Sequence, residues 1–350
     1  MVTIHINASK EYDVMVGPGL LCSLGQETAS VTTGRTAVII SDSNVWSVYG
    51  KTASDSLEKA GFSVHSWIFH PGETGKSSEN YLNLLSFLVQ KQITRSDCLI
   101  ALGGGVAGDL TGFAAGTYLR GIAYIQVPTS LLAMVDSSVG GKTAINLPAG
   151  KNLVGVFHQP RLVLCDTNTL TTLSNREFIS GCAEIIKYGV LYDEALFTHI
   201  EKSLLDFDRC TVISRCIELK RDAVAADEFD VGIRQMLNLG HTLGHSIEKL
   251  TNYQLTHGEA VSIGMSMICR SAAAHRQLGA EDRDRIISLL GHFGLPTATD
   301  LPINAIIHQA MNDKKRQGER ITLVIPATIG CGKLEEMPIL QLKDYVKEGN

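Results

Sequence analysis

Strand-like runs alternate with amphipathic segments of helix length in the first half of the chain, and this alternation constrains the fold more than any other feature. The runs rich in β-branched and apolar residues lie at 36–40, 63–68, 98–102, 122–127 and 162–164. Helix-length stretches such as 43–60 and 77–92 lie between them. The later runs are almost wholly apolar, which is typical of parallel strands covered on both faces. The pattern predicts an α/β layer fold, and the segment up to Val16 is expected to form a strand pair at the sheet edge.

After about Asp166 the chain becomes mainly helical. Residues 175–295 show the periodicity of successive helices, and strand-like runs nearly vanish until 321–325. A chain of 350 residues is long enough for two domains. We therefore expect an α/β N-terminal domain over 1–170 and a mainly α-helical C-terminal domain over 171–350.

Composition excludes several classes of protein. The net charge is −5, and the run Lys314–Arg316 is too short for a nucleic-acid-binding tract. No apolar run approaches the length of a membrane span, and residues 1–6 alternate like a strand rather than a secretion signal. The eight cysteines form no Cys-x-x-Cys pair and several, such as Cys98, lie in apolar runs. We expect free thiols and a cytoplasmic protein without a nucleic-acid or membrane partner.

A glycine-rich loop follows one of the apolar runs and opens a helix-like segment. Its sequence is Gly103-Gly104-Gly105-Val106-Ala107-Gly108-Asp109. Glycines allow a phosphate to approach the backbone, and a helix N-terminus offers free N–H groups to an anion. The spacing differs from Gly-x-Gly-x-x-Gly, so the ordinary dinucleotide fingerprint is absent. The loop is either a phosphate-binding site or a tight strand-to-helix turn.

Polar segments follow three other strand-like runs. They are 41–44, with Asp42 and Asn44; 70–76, with Gly72, Glu73 and Lys76; and 128–130, with Thr129 and Ser130. Ligands of α/β sheets bind beyond the carboxyl ends of the strands. Together with the glycine-rich loop, these segments predict one crevice. Gly140–Thr143 resembles the end of a P-loop, but the first glycine and the preceding strand of that motif are missing, so Lys142 and Lys151 are interpreted as phosphate or hydroxyl partners.

The C-terminal half carries candidate metal ligands. His241 and His245 lie four residues apart, and His257 follows. Histidines at this spacing on one helix can share a metal or can be ordinary packing residues. Glu184 and Lys187 share a helix face in an apolar stretch, and a buried carboxylate needs a partner. Glu184, His241 and His257 would form a catalytic metal site with an open position.

Two polar residues that precede the histidine pair continue its spacing. Arg234, Asn238, His241 and His245 are spaced by four, three and four residues. This spacing predicts one stripe of one helix, forming a wall of an anion-binding pocket.

At this point the sequence resembles the 3-dehydroquinate synthase family of sugar-phosphate cyclases over essentially its whole length. The matching motifs are Pro71-Gly72-Glu73-x-x-Lys76, residues 103–109, Tyr118-Leu119-Arg120-Gly121, residues 128–143, Gly150-Lys151-Asn152, Ala183-Glu184-x-x-Lys187, residues 237–245 and Asp313-Lys314-Lys315. The resemblance implies an NAD-binding N-terminal domain and a metal-binding C-terminal domain. It also implies a bound NAD, one divalent metal (zinc, with cobalt as an alternative) and a homodimer.

The implied reaction converts 3-deoxy-arabino-heptulosonate 7-phosphate to 3-dehydroquinate and phosphate in the shikimate pathway. Its steps are transient oxidation by NAD, phosphate elimination, re-reduction and intramolecular aldol closure. The family pattern makes Glu184, His241 and His257 the metal ligands. It assigns the substrate to Arg120, Asp136, Lys142, Asn152, Lys187, Lys220, Arg234, Asn238, His245, Lys314 and Lys315, with Arg120 reaching across the dimer interface.

For NAD, the resemblance implies a set that lines the expected crevice of the first domain. The set is Asp42, Asn44, Gly72, Glu73, Lys76, Gly105, Val106, Ala107, Gly108, Asp109, Thr129, Ser130, Lys142, Lys151, Thr169, Leu170, Thr171 and Thr172. One departure concerns Asp230, which stands where the family usually has Glu. Two alternatives remain open: another sugar-phosphate cyclase, or a metal-dependent polyol or glycerol-phosphate dehydrogenase. Arg234 argues against the first, because those substrates lack a carboxylate, and Glu184 argues against the second, which usually has Asp there.

Overall fold

The computed structural model describes residues 1–314, 320–347 and 349, without the side chains of 312–314. The strands are β1 (Val2–Ile6), β2 (Tyr12–Gly17), β3 (Thr36–Asp42), β4 (Ser63–Phe69), β5 (Cys98–Gly103), β6 (Ala123–Pro128), β7 (Lys142–Leu147), β8 (Gly150–Phe157), β9 (Leu162–Asp166), β10 (Arg320–Thr328) and β11 (Cys331–Pro338). The helices are α1 (Leu24–Val31), α2 (Ser43–Lys59), α3 (Ser78–Gln90), α4 (Gly105–Thr117), α5 (Asn175–Tyr192), α6 (Glu194–Ser203), α7 (Arg209–Ala226), α8 (His241–Leu250), α9 (His257–Ala274), α10 (Ala280–His292), α11 (Ile303–Lys314) and α12 (Leu342–Lys347).

The first of two compact units is built on a seven-stranded sheet with the order β1-β2-β9-β6-β5-β3-β4. Every neighbouring pair is parallel except β1 and β2, which form the edge strand pair expected from the sequence. Successive residues of β3 pack into the hydrophobic cores on opposite faces of the sheet. Val38 packs with residues of α3 and α4, whereas Ile39 packs with residues of α1 and α2. Each such buried aliphatic side chain contributes about 1.5–3 kcal/mol, so a sheet covered on both faces is the expected result of these apolar runs.

The first unit comprises Met1–Leu173 and Arg209–Phe229. The sequence-based division, 1–170 and 171–350, assigns α7 to the second domain. The structure groups α7 with the first unit because it packs against β1, β2 and the short π-helical segment Ala133–Ser137. Strands β7 and β8 form an antiparallel hairpin that the sequence pattern did not predict.

The second unit comprises Ser174–Asp208 and Asp230–Asn350. It contains α5, α6 and α8 to α12 together with the hairpin of β10 and β11. Strand β10 was predicted from the sequence and β11 was not. In the described part of the chain, no helix is long and apolar enough to cross a membrane.

One expectation about this unit is wrong. Arg234 and Asn238 do not continue the helix of the two histidines. They lie in a 3-10 helix, Ile233–Asn238, and α8 begins only at His241. Gly240 separates the two elements with a φ of 77°, a left-handed conformation that ends the first helix and caps the second.

Candidate functional site

Helix α5 places a carboxylate and an ammonium group in the interior of the second unit. Ser174 caps the helix by accepting a hydrogen bond from the Glu177 N–H at 3.3 Å. Glu184 and Lys187 lie one turn apart, form an ion pair, and are 0% and 1% exposed. Apolar residues surround both positions on the helix, so the pair is buried more completely than the sequence predicted. Charges this deeply buried are retained where partners compensate them.

Two imidazoles meet Glu184 from the first residues of two other helices. His241 Nε2 lies 3.7 Å from Glu184 Oε1, and His257 Nε2 lies 3.4 Å from the same oxygen. One ligand atom from each of the three residues lies within 4.8 Å of the other two. Ligands that are each about 2.1 Å from a tetrahedral ion lie about 3.4 Å apart. The donor set therefore fits a divalent metal such as zinc.

The environment of each imidazole also suits this use. His241 Nδ1 lies 3.0 Å from the carbonyl oxygen of Leu239, which can only accept, so Nδ1 carries the proton and Nε2 keeps its lone pair. Burial, with a smaller effect of Lys187, lowers the pKa of His241 to about 3. Burial opposes a charge on His257 as well, but Glu184 and Glu248 outweigh it and raise the pKa of His257 to about 9. The two carboxylates thus favour a positive charge at His257, which a metal ion on Nε2 would supply in place of a proton.

The start of α9 is held firmly, which fixes the position of His257. Thr256 and Glu259 form a capping box, in which each side chain accepts a hydrogen bond from the backbone N–H of the other residue. Arg176 donates two hydrogen bonds to the Glu259 carboxylate, at 2.8 and 2.7 Å. Gly258 N–H donates to Ser180 Oγ at 3.0 Å. These contacts anchor the start of α9 to α5, the helix that carries Glu184.

The third histidine lies beside this donor set. The ring centroid of His245 is 5.4 Å from that of His241 and 5.8 Å from that of His257. His245 is exposed, and its ligand atom groups with Glu248 and His257 rather than with Glu184. The shared face of His241 and His245 on α8 is as the spacing predicted.

Other predicted substrate residues of this unit occupy different surroundings. Arg234 is only 2% exposed, and Asn238 is half-buried. Asp230, the departure from the family pattern, has a φ of 58°. Tyr192 has its pKa raised to about 12 by burial and, to a lesser degree, by Asp230. The side chain of Lys314 and all of Lys315 lie outside the described residues.

In the first unit, the predicted cofactor residues gather at the carboxyl edge of the sheet. Asp42 ends β3 and caps α2, accepting hydrogen bonds from the N–H groups of Asn44 and Val45 at 2.9 and 3.1 Å. Thr129 follows β6, and its N–H donates to the carbonyl oxygen of Gly103 at the end of β5. Because these strands are parallel neighbours, their ends lie side by side.

The glycine-rich loop lies in the middle of this edge. Gly104 is the N-cap of α4, and no side chain caps that helix. The first N–H groups of α4 therefore face a position where an anion can bind. A Cβ at Gly105 would lie 3.2 Å from Ser137 Oγ, and one at Gly104 would lie 3.2 Å from Ser130 Oγ. The loop thus has the close backbone approach and the hydroxyl groups that suit a dinucleotide phosphate.

A polar network joins the segment after β4 to neighbouring elements. Lys76 is 5% exposed and forms an ion pair with Asp109 of α4. Burial raises the pKa of Asp109, and the charge of Lys76 opposes this rise. Asn146 of β7 donates from Nδ2 to Glu73 Oε1 at 2.8 Å, and its Oδ1 accepts from the N–H of Asn152. Asn146 was missed in the sequence because a lone Asn in an apolar strand carries no motif.

The remaining predicted cofactor residues of the first unit differ in how exposed they are. Lys151 Nζ lies 3.8 Å from Glu73 Oε1. Lys142 is exposed at the start of β7. Thr169 and Leu170 are buried, whereas Thr171 and Thr172 are exposed. Gly72 is exposed with a φ of 99°.

Asp136 and Lys220 form an ion pair that the sequence did not reveal, since 84 residues separate them. Lys220 Nζ also donates to the Asp136 carbonyl oxygen. Arg120 is exposed on a turn in which it and Leu119 both have positive φ, 67° and 50°. Arg95 Nε donates to the Leu119 carbonyl oxygen at 3.3 Å and so supports this turn.

The fold and these sites define a class of protein: α/β enzymes with a phosphate-binding edge on a parallel sheet and a metal-ligating donor set in a helical second unit. Solved structures agree with this class. A 2-deoxy-scyllo-inosose synthase complexed with carbaglucose-6-phosphate, NAD+ and Co2+ is 27% identical, with a TM-score of 0.88 and full coverage of both chains. A 2-epi-5-epi-valiolone synthase from Streptomyces hygroscopicus with NAD+ and Zn2+ bound is 25% identical, with a TM-score of 0.89 over 98% of this chain and 97% of that one.

Sequence comparison narrows the class. The model of the 3-dehydroquinate synthase N-terminal domain matches residues 66–180, and that of the C-terminal domain matches residues 181–316. The 3-dehydroquinate synthase of Nostoc punctiforme is 43% identical over 343 residues, which cover 93% of each chain. The chain belongs to the 3-dehydroquinate synthase family.

Proposed function

We propose that the protein converts 3-deoxy-arabino-heptulosonate 7-phosphate to 3-dehydroquinate and inorganic phosphate, a phosphorus–oxygen lyase step of the shikimate pathway. The observation that carries this proposal is the convergence of Glu184, His241 and His257 in a chain 43% identical to a 3-dehydroquinate synthase. A carboxylate and two imidazoles leave a position open on a tetrahedral ion, which is the arrangement of catalytic rather than structural sites.

The proposed cofactors are NAD and one divalent metal, zinc or cobalt. The 2-deoxy-scyllo-inosose synthase complex and the 2-epi-5-epi-valiolone synthase structure described above hold NAD+ with Co2+ and Zn2+ respectively. When bound, NAD accepts and returns a hydride, and the metal acidifies the ring hydroxyl that is oxidised. The uncapped N-terminus of α4 suits the NAD pyrophosphate, and the donor set described above suits the metal.

The second unit supplies fixed charge to the reaction. Lys187 forms a buried ion pair with Glu184, so its ammonium group is fixed beside the donor set. Arg234 is proposed to bind the substrate carboxylate, since a guanidinium matches a carboxylate with two parallel hydrogen bonds. His245 and Asn238 are proposed substrate contacts. His245 is exposed beside the donor set, where an imidazole can hold or move a proton at the phosphate oxygens.

The first unit supplies further substrate contacts in this proposal. Lys142 and Asn152 lie on the β7–β8 hairpin, and the Asn146 bridge orients that hairpin toward Glu73. Lys220 and Asp136 hold each other in place and would serve the carboxylate and the ring hydroxyls respectively. Preorganised charges of this kind are worth more than mobile ones, because they need no reorganisation during the reaction. Lys314 and Lys315 remain part of the proposal for the phosphate.

A homodimer is also proposed, in which Arg120 reaches the phosphate bound by the partner subunit. The support is the exposed position of Arg120 on a turn with two positive φ values, a costly conformation that presents the side chain outward. A cytoplasmic location is proposed because all eight cysteines, which lie within the described residues, are free.

One assay distinguishes this proposal from the alternatives. The protein is incubated with the heptulosonate phosphate, NAD and zinc, and inorganic phosphate and reduced nicotinamide are both followed. We expect phosphate release with no net NADH, and loss of the reaction after chelation. Accumulation of NADH in proportion to turnover would support a dehydrogenase instead. Release of phosphate from glucose 6-phosphate or sedoheptulose 7-phosphate, but not from the heptulosonate phosphate, would support another cyclase.

A further inference from the structure

Glu248 is a buried carboxylate next to the metal-ligating set, and the proposed chemistry does not use it. It lies on α8, is 3% exposed, and follows His245 by three residues. Its Oε2 lies 3.6 Å from His257 Nδ1, while the other ring nitrogen of His257 faces Glu184 at 3.4 Å. The imidazole of His257 therefore stands between two carboxylates, with one nitrogen toward each.

The two imidazoles of the donor set differ in what holds them. His241 is fixed by a hydrogen bond from Nδ1 to the Leu239 carbonyl oxygen. For His257 the corresponding nitrogen, Nδ1, faces the Glu248 carboxylate. A carboxylate that accepts from the remote N–H of a ligating histidine fixes its tautomer and makes the metal-facing nitrogen more basic.

We propose that Glu248 is a positioning residue for the metal site: it accepts a hydrogen bond from His257 Nδ1 and thereby raises the affinity of the chain for its divalent metal. The present separation is an ion-pair distance, and a movement of about 0.5 Å brings the two atoms within hydrogen-bond range. This inference rests on the proposed function for the identity of the metal site, but it concerns metal binding alone.

A second geometry uses the same atoms differently. His245, Glu248 and His257 also offer ligand atoms that lie within 4.8 Å of one another. In that arrangement Glu248 would be a direct ligand of a second ion. Because His257 is common to both sets, the two roles of Glu248 predict different stoichiometries and different effects of removing His245.

The test measures metal binding without substrate. Zinc affinity is determined by chelator competition for the wild type, Glu248→Gln, Glu248→Asp and His245→Ala, and Co2+ absorption spectra are recorded for each. We expect Glu248→Gln to weaken zinc binding by about 10- to 100-fold, with one metal per chain and a tetrahedral Co2+ spectrum preserved. Glu248→Asp should recover part of the affinity, and His245→Ala should keep it.

Ser246→Ala is the matched control, since Ser246 is equally buried on α8 and donates only to the Thr242 carbonyl oxygen of its own helix. It should bind zinc as the wild type does. Unchanged affinity in Glu248→Gln would overturn the proposal. A second result would also overturn it: two metals per chain in the wild type and only one in both Glu248→Gln and His245→Ala. Glu248 would then be a direct ligand of a second ion. Phosphate release is measured separately from zinc binding. Failure of the proposed reaction would therefore be distinguished from failure of the proposed role of Glu248.

Discussion

Gly258 and Ser180 lie in direct backbone contact in the second unit, and this contact sets the separation of two metal-ligating residues. A Cβ at position 258 would lie 2.0 Å from the carbonyl oxygen of Ser180. Gly258 directly follows His257, and Ser180 lies one helical turn before Glu184. Packing therefore requires glycine at position 258, next to His257, because no larger residue allows α9 to approach α5 so closely.

Replacement of Gly258 by Ala should displace His257 from Glu184. We expect a loss of about 1–3 kcal/mol in the free energy of unfolding, since the clash is with backbone that cannot rotate away. Zinc affinity should fall as well. Urea unfolding with a chelator present, followed by zinc titration, measures both quantities. Gly279→Ala is the control, because nothing lies within 4 Å of a Cβ there and the backbone φ is −62°. Wild-type stability and affinity in Gly258→Ala would refute this account.

His257 and His245 should give opposite results when each is replaced by Ala. His257→Ala removes a ligand that lies 3.4 Å from Glu184 Oε1, so the purified protein should contain little metal. His245→Ala should retain one metal per chain and lose turnover, by about 100-fold if the imidazole transfers a proton. Metal content by atomic emission and steady-state phosphate release provide the measurements. An empty site in His245→Ala would show that the ligands are assigned incorrectly.

Lys187 should stabilise the metal-free protein more than the metal-bound one. Lys187→Met leaves the buried Glu184 carboxylate without its ion-pair partner, at a cost of about 3–5 kcal/mol. A divalent metal supplies positive charge to the same carboxylate, so saturating zinc should recover part of this loss. The double variant Glu184→Gln/Lys187→Met, unfolded in urea with a chelator, should be less destabilised than Lys187→Met. Equal destabilisation with and without zinc would argue against metal binding at Glu184.

Much of the fold could be predicted from the sequence, because local patterns carry it. The apolar runs of the parallel strands, the edge strand pair and the shared face of Glu184 and Lys187 all follow from periodicity over a few residues. The helical stripe through Arg234 and His245 was wrong for a local reason too. A stripe assumes one continuous helix, and the left-handed conformation of Gly240 interrupts it.

What the sequence could not supply are contacts between distant segments. Asp136 and Lys220 are 84 residues apart, and α7 joins the first unit through such packing. The bridge that Asn146 makes to Glu73 is likewise tertiary. Glu248 did have a local signal, since it lies three residues after His245 on α8. Its contact with His257 is tertiary, because it depends on the packing of α9 beside α8.

The ion pair of Lys76 and Asp109 should make the stability of the protein depend on pH in a defined direction. Burial raises the pKa of Asp109 above its ordinary value of 3.8, and Lys76 limits the rise. An acid whose pKa is higher in the folded state loses stability as pH rises from the unfolded value through the folded one. Lys76→Met removes the opposing charge, so the pKa of Asp109 should rise further and this window should extend upward.

We therefore expect Lys76→Met to be destabilised by about 3 kcal/mol near neutral pH, with a smaller deficit as pH falls toward the range in which Asp109 is protonated in both proteins. Urea unfolding at a series of pH values measures the difference. Lys51→Met is the control, because that lysine is 84% exposed and solvent screens its surface ion pair with Asp55. A deficit in Lys76→Met that stays constant with pH would show that lost packing, rather than the charge on Asp109, accounts for it.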